Sequence, residues 1–275
     1  MSLFLIMEYE SLKKLLINLY KEYNNENFDE IDYVLSEISH KSLLEIKFVN
    51  FSKVEVDKAK KIVKKHLKTQ KPYQKIFKRA YFYGLEFYVN ANVLTPRQDS
   101  EILVENVLKN DFNSLLDICC GSGCLGLSIK NRKPSIDCLL SDISPKALVV
   151  AKKNAKDLKL SARFRKSDMF DKIQEEFDII VCNPPYIETD TIKLLSKEVK
   201  DFDPQISLDG GKDGLNFYKI LYTELEKHLT EHGKAFLEIG HNQGFLKDYF
   251  NEKYKVTLLK DYNNLDRLLI LEREK

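Results

Sequence analysis

From residue 115 onward, short apolar runs alternate with longer stretches of helical spacing. No other feature restricts the fold of this chain as strongly. The runs are Leu115–Cys119, Ile136–Ser141, Ala162–Arg165, Asp178–Cys182 and Lys234–Ile239. Alternation of this kind implies parallel strands joined by crossover helices. Two further runs, Val256–Leu259 and Arg267–Leu271, are separated only by a polar turn containing Asp261, Asn263 and Asn264. That gap is too short for a crossover helix, so this last pair must run antiparallel. The expectation is an α/β fold with a mostly parallel seven-stranded sheet that ends in an antiparallel hairpin.

The first quarter of the chain reads differently. Residues 8 to about 68 show no strand alternation. Leu12, Leu15, Leu16, Leu19 and Tyr20 recur at helical spacing, as do Phe28, Ile31, Val34, Leu35 and Ile38. Leu43, Leu44 and Ile46 mark a third segment, and Val56, Ala59, Ile62, Val63, His66 and Leu67 a fourth. Asn24-Asn25 and Asp57 are the expected breaks or caps. Tyr81 to Val89 is aromatic-rich around Gly84, which predicts a β-hairpin. The expected organisation is a helical bundle over 1–72, a hairpin linker over 73–95 and an α/β domain over 96–275, which 275 residues accommodate.

Composition narrows the possible partners. With 43% hydrophobic and 31% charged residues the chain can fill a core and stay soluble. No apolar run approaches the ~20 residues of a membrane span. The opening Met1 to Met7 is too short for a secretory signal and lacks a basic flank, and Met7 is an alternative start. The 44 basic residues are nearly cancelled by 42 acidic ones, for a net charge of +2. Stable nucleic-acid binding normally needs a clear basic excess. Lys60-Lys61 and Lys64-Lys65 alternate with apolar positions and read as a solvated helix face. Five cysteines, an odd number, fit reduced thiols in a cytoplasm. Cys119, Cys120 and Cys124 lack a fourth ligand nearby, so no metal site is expected. His228-Leu-Thr-Glu-His232 formally matches a zinc-protease pattern, but it falls at a predicted helix end where an exposed His is favoured, and no third ligand follows.

The first apolar run leads into Cys120-Gly121-Ser122-Gly123-Cys124-Leu125-Gly126. Glycines let such a turn pass tightly beneath a ligand, and the following helix starts with free N–H groups. Asp142 ends the next strand ~20 residues later, where a ribose would hydrogen-bond. A nicotinamide enzyme would fit these residues equally well. The helix carrying Ala151 and Asn154, and Ser167-Asp168-Met169-Phe170 after the third strand, resemble instead the class I (Rossmann-like) methyltransferase arrangement. There the acid after strand three, here Asp168, lies near the adenine amine and accepts its hydrogen bond.

The run Phe177 to Cys182 enters Asn183-Pro184-Pro185-Tyr186. Two prolines cannot continue a central strand, and each holds the residue before it extended. Ligands of open α/β sheets bind at this edge. An amide or aromatic NH2 is a poor nucleophile because its lone pair is delocalised. The Asn183 side-chain oxygen and the Pro184 carbonyl are candidates to hold its two N–H bonds and aim the nitrogen at an electrophilic methyl. Tyr186 offers a flat surface beside it.

With these flanks the chain resembles the HemK/PrmC family, the glutamine N5-methyltransferases of peptide chain release factors, over essentially its full length. The matching segments are Phe82 to Phe87, Val93 to Arg97, Asp117 to Gly126, Asn183 to Ile187, Asp209 to Leu215, Glu238-Ile239-Gly240 with Gln243, and Arg267. Two segments depart from the family pattern. Gln98-Asp99-Ser100-Glu101 stands where the family has a Glu-Thr-Glu-like stretch, and Asp203-Pro204 where it has Glu-Pro. Both changes keep charge or hydroxyl character.

The resemblance implies an S-adenosyl-L-methionine-dependent enzyme that methylates the glutamine of the Gly-Gly-Gln tip of class 1 release factors, tuning translation termination, with S-adenosyl-L-homocysteine as the other product. It implies catalytic roles for Asn183, Pro184, Pro185 and Tyr186, and substrate binding by Asn183, Pro184, Tyr186 and Arg97. Cofactor binding falls to Asp117, Cys119, Gly121, Gly123, Asp142, Ile143, Asp168, Met169 and Asn183. The amino-terminal bundle is where the family places release-factor docking. A cytoplasmic monomer with no membrane or stable nucleic-acid partner is expected. The alternatives are methylation of a ribosomal protein glutamine, or of an exocyclic amine in DNA or rRNA. The last would need a basic face and room for a flipped base.

Overall fold

The computed structural model describes residues 6–273, so of the opening segment Met1 to Met7 the first five residues lie outside that range. The chain divides into two units, Met1–Lys78 and Arg79–Lys275. The smaller holds β1 (Ile6–Glu8), α1 (Tyr9–Glu22), α2 (Ile31–Ser39), β2 (Asn50–Ser52), α3 (Lys53–Thr69) and α4 (Tyr73–Phe77). Its core is the apolar stripe read from the sequence: Leu12, Leu16 and Leu19 of α1, Val34 and Leu35 of α2, and Val56, Ala59 and Val63 of α3. Each such Leu or Val side chain contributes about 1.5–3 kcal/mol when buried. On α3, Lys61, Lys64 and Lys65 face solvent.

Four local expectations are corrected here. The short strands β1 and β2 pair antiparallel, with Ile6 opposite Ser52, although no strand was expected after residue 8. Three residues are too few for alternation to show. Asp57 lies inside α3 rather than at its start. Ser52 caps that helix instead, its hydroxyl accepting from Glu55 N–H at 3.4 Å while the Glu55 carboxylate accepts the Ser52 N–H at 2.8 Å. Leu43 and Leu44 are exposed, and only Ile46 is buried, in a 3-10 turn over Glu45–Phe48. Residues 73–78 also belong with the helices, because Tyr73 stacks on His66 at 4.3 Å and its hydroxyl meets that of Tyr20 at 2.6 Å.

The larger unit opens with the expected hairpin, β3 (Arg79–Phe82) and β4 (Leu85–Tyr88), turned by Tyr83 and Gly84 at positive φ. The hairpin is part of this unit rather than a free linker, since Phe82 and Phe87 are buried in the unit's core. There follow α5 (Glu101–Val107), β5 (Ser114–Ile118), α6 (Cys124–Arg132), β6 (Asp137–Asp142), α7 (Pro145–Asp157), β7 (Arg163–Lys166) and β8 (Phe177–Cys182). The chain ends with α8 (Lys197–Lys200), α9 (Asn216–Glu224), β9 (Leu229–Glu238), α10 (Leu246–Phe250), β10 (Tyr254–Lys260) and β11 (Asp266–Arg273).

Seven strands form one sheet in the order β10-β11-β9-β8-β5-β6-β7. The strands β9, β8, β5, β6 and β7 pair in parallel, and β11 runs antiparallel to both β9 and β10. This is the sheet the alternation predicted. Its two faces are covered by separate cores. Leu115, Leu140, Ile179 and Phe236 point to one side with α5, α6 and α7, and Leu116, Ile180, Leu237 and Leu269 to the other with α9 and α10. Strand β9 begins at Leu229, so the Thr230-Glu231-His232 part of the zinc-protease-like pattern is strand, not helix. His228 is buried rather than exposed, stacked on Phe170 at 4.5 Å.

Chain order leaves β5 toward β6 on one side and returns through β8 on the other, so the sheet switches direction between β5 and β8. Ligands of open sheets bind at the carboxyl ends flanking such a switch. Two braces shape that edge. Asn154 of α7 donates to Tyr88 O at 3.1 Å and Ser122 O at 2.9 Å, and accepts Tyr88 N–H at 2.7 Å. It thereby ties the hairpin to the glycine loop. On the other side Gln243 donates to Tyr186 O at 3.2 Å and Gly214 O at 3.3 Å. A Cβ on Gly210 would lie 2.8 Å from Tyr186 Cα, so the Asp209 to Leu215 segment packs directly on the backbone of Tyr186.

Asn154→Ala would leave three backbone groups, one buried and two part-buried, without their side-chain partner. It is expected to lower the unfolding free energy by about 2–3 kcal/mol. The check is urea denaturation, where the midpoint should fall at constant slope. A midpoint equal to wild type would show that Asn154 does not hold the loop.

Candidate active site

Ile118 and Cys182 are register partners on β5 and β8, and they are the last residues of their strands. The next residues, Cys119 and Asn183, therefore leave the sheet side by side. Both line a cavity of about 320 Å³. Cys119 has φ +59°, and its thiol meets Met169 Sδ at 3.7 Å across the cavity floor.

Of the candidate cofactor residues, Cys119, Gly121, Asp142, Ile143, Asp168, Met169 and Asn183 share this wall. Gly121, at φ +54°, has nothing within 4 Å of where a Cβ would stand, so the loop leaves open space at that point. Asp142 is held by two backbone donors, Gly121 N–H at 2.9 Å and Ser144 N–H at 2.8 Å, on different oxygens. Burial raises its carboxyl above the usual range, and the same two N–H groups oppose the shift. Each oxygen keeps a lone pair for a hydroxyl donor. Ile143 presents an exposed apolar side chain beside it.

Asp117 and Gly123 lie behind this wall and do not line the cavity. Asp117 is fully buried, and its Oδ2 accepts Gly126 N–H at 2.8 Å while Oδ1 has no partner among the described residues. Burial pushes its carboxyl up to about 7, with the Asp142 charge adding to the shift. Gly126 must be glycine here, because a Cβ would stand 2.9 Å from Asp117 Oδ2. Gly123 takes φ +80° at the start of α6, with a Cβ position only 2.9 Å from Leu140.

A second cavity of about 240 Å³ opens on the other side of Asn183. Tyr186, Arg97, Leu94, Leu208, Glu238 and Arg267 are among its walls. Asn183, Leu94 and Ser207 line both cavities, and Pro185 lines the first. Pro184 is buried and lines neither. No hydrogen bond among the described residues engages its carbonyl. Arg97 is about half exposed at the mouth, 3.5 Å from Asp203, which also accepts from Thr95 N–H and Oγ1 at 3.2 Å. Asp203 thus pins the Thr95 to Arg97 entry.

Two residues here escaped the sequence reading. Ser100 accepts from Asn183 Nδ2 at 3.5 Å, and Glu238 accepts from Tyr186 Oη at 3.3 Å. Glu238 ends an apolar strand as Asp142 does, and that shared position was the signal available for it.

Known proteins agree with this architecture. The methyltransferase small domain matches residues 96–199. The release factor glutamine methyltransferase of Thermodesulfovibrio yellowstonii is 38% identical over 230 residues, covering 78% of this chain and 81% of that protein. That of Streptococcus pneumoniae is 32% identical over 258 residues, covering 90% and 92%. A ribosomal protein uL3 glutamine methyltransferase of Francisella tularensis is 37% identical over 183 residues, but covers 63% and 58%. Among solved structures, a methyltransferase of Pyrococcus furiosus superposes with a TM-score of 0.55 at 17% identity, over 70% of this chain and 90% of that one, which shows the shared fold. On the strength of relatives above 30% identity along most of its length, the chain belongs to the release factor glutamine methyltransferase family.

Proposed function

We propose that this chain transfers a methyl group from S-adenosylmethionine to the side-chain amide nitrogen of the glutamine in the Gly-Gly-Gln tip of class 1 release factors. The observation that carries the reading is the position of Asn183 on the wall between the two cavities. One cavity takes the methyl donor and the other the acceptor amide.

The first cavity suits an adenosine. Asp142 offers two oriented lone pairs for a ribose diol, Ile143 and Met169 an apolar surface for a purine, and Asp168 an acceptor for an exocyclic amine. Open space at Gly121 allows the loop backbone to approach the ligand closely. When bound, S-adenosylmethionine supplies an electrophilic sulfonium methyl. Everything else falls to the chain.

The chain has to hold a weak nucleophile in line. Asn183 Oδ1 and the Pro184 carbonyl accept the two N–H bonds of the substrate amide, which orients the nitrogen and raises its electron density. The prolines keep both acceptors fixed before the substrate arrives, so no reorganisation is needed during transfer. Tyr186 packs against the flat amide, and Arg97 at the mouth meets the peptide backbone that carries the glutamine. The nitrogen becomes acidic once alkylated, and water takes its proton without a dedicated base. The helical unit docks the release factor, and the enzyme works as a cytoplasmic monomer without nucleic acid. Among the described residues no helix is long and apolar enough to cross a membrane.

Tritiated S-adenosylmethionine with purified release factor should label protein, and the label should disappear when the tip glutamine is replaced. Label that appears only on RNA, DNA or a ribosomal protein would sink the proposal. Asn183→Ala is expected to lower kcat about 100-fold or more while cofactor affinity stays within about threefold. Calorimetry and initial rates separate the two. An equal loss of both would mean that the loop is scaffold rather than acceptor site.

A further inference from the structure

Glu238 is a buried group that the transfer described above leaves unused. It ends β9, is only 4% exposed, and stands on the wall of the second cavity. Tyr186 Oη donates to its Oε1 at 3.3 Å, whereas Oε2 is buried with no hydrogen-bond partner among the described residues. Ser100, also buried, accepts from Asn183 Nδ2 at 3.5 Å. Burial raises the Glu238 carboxyl, while Ser100, Arg267, Tyr186 and Asn183 each favour its charged form. Arg267 forms its ion pairs elsewhere, with Asp261 at 3.1 Å and Asp99 at 3.7 Å, so it acts on Glu238 as a nearby charge.

We propose that Ser100 and Glu238 are positioning residues that fix which end of the Asn183 side-chain amide faces the methyl acceptor. The proposal rests on the function stated above and deepens it. An asparagine amide can exchange its oxygen and nitrogen with almost no change of shape, so only its hydrogen bonds decide the orientation. A carboxylate only accepts. With Glu238 beside it, the Ser100 hydroxyl directs its proton to the carboxylate and keeps a lone pair for the Asn183 NH2. Asn183 Oδ1 is then the end left for the substrate. The flipped amide would set one NH2 against another, and the substrate N–H bonds would lose their acceptor. The same carboxylate accepts a hydrogen bond from the Tyr186 hydroxyl, so both polar members of the acceptor motif are polarised from one point.

A purely structural acid would not gather its contacts this way. Tyr186 donates to it, Ser100 and Asn183 both favour its charged form, and its second oxygen has no hydrogen-bond partner among the described residues.

The test compares the full-length E238Q, S100A and S100T variants and the S100A/E238Q double variant. It measures kcat and KM with release factor, and cofactor affinity by calorimetry. A glutamine can donate as well as accept, so it no longer dictates the polarity of Ser100. E238Q and S100A are expected to lower kcat about 10- to 100-fold, with KM and cofactor affinity within about threefold of wild type. S100T keeps the hydroxyl and should stay within about threefold of wild type. The double variant should fall no more than about threefold below the worse single one, because the two residues act in series. S100A and E238Q rates matching wild type would overturn the proposal. So would a parallel loss of cofactor affinity and melting temperature, which marks scaffold. If E238Q does not fold, the contrast between S100A and S100T decides alone. Wild-type enzyme that fails to label release factor would instead refute the underlying function.

Discussion

The parallel pairing of β5 with β8, with Ile118 opposite Cys182, is the constraint on which the rest of the catalytic unit depends. It places the glycine loop and the Asn-Pro-Pro-Tyr turn one residue past the same point of the sheet edge. A slip of one residue would turn every side chain of β8 to the opposite face. Ile179 and Val181 would leave the core they share with α6 and α7, and Ile180 would leave the other. The hydrophobic cores on the two faces therefore enforce the register, and the register sets the distance between the two cavities.

Three carboxylates lie at or near the carboxyl ends of central strands, and each is accommodated differently. Asp117 is sealed under α6 and satisfied on one oxygen by Gly126 N–H, which couples the loop to the strand below it. Asp142 sits at the cavity wall with a backbone donor on each oxygen, so it is rigid and still able to accept. Glu238 is buried and accepts from Tyr186 of the Asn-Pro-Pro-Tyr turn. Burial raises the pKa of all three, because a low-dielectric surrounding disfavours the charged form. Retaining three such groups at one sheet edge costs stability, because each must be desolvated on folding.

Strands of six or so apolar residues between helical stretches could be read directly, since burial on both faces leaves a continuous apolar run. The hairpin of β10 and β11 followed from a gap too short for a helix. Strands β1 and β2 were not legible because three residues carry no period, and the start of α3 was missed because Ser52 and Glu55 cap it ahead of the Asp57 that looked more suitable. Asp142, Asp168, Gly121 and Asn183, read from strand ends and a glycine turn, all line the first cavity. Ser100 was not legible, because its role comes from Asn183, 83 residues away in sequence.

The sequence by itself determined which segments become strands, their parallel or antiparallel direction and the residue types at their ends. Strand length, turn length and proline stiffness are local properties that survive without a fold. The glycine loop and Asn183-Pro184-Pro185-Tyr186 carried the resemblance to methyltransferases. Only the tertiary structure decided that Asn183 lines two cavities, that Gly210 and Gln243 press on the Tyr186 backbone, and that Glu238 meets the Tyr186 hydroxyl. Those facts join residues far apart in the chain, and their distances are set by sheet register and by packing on both faces, which no single segment encodes.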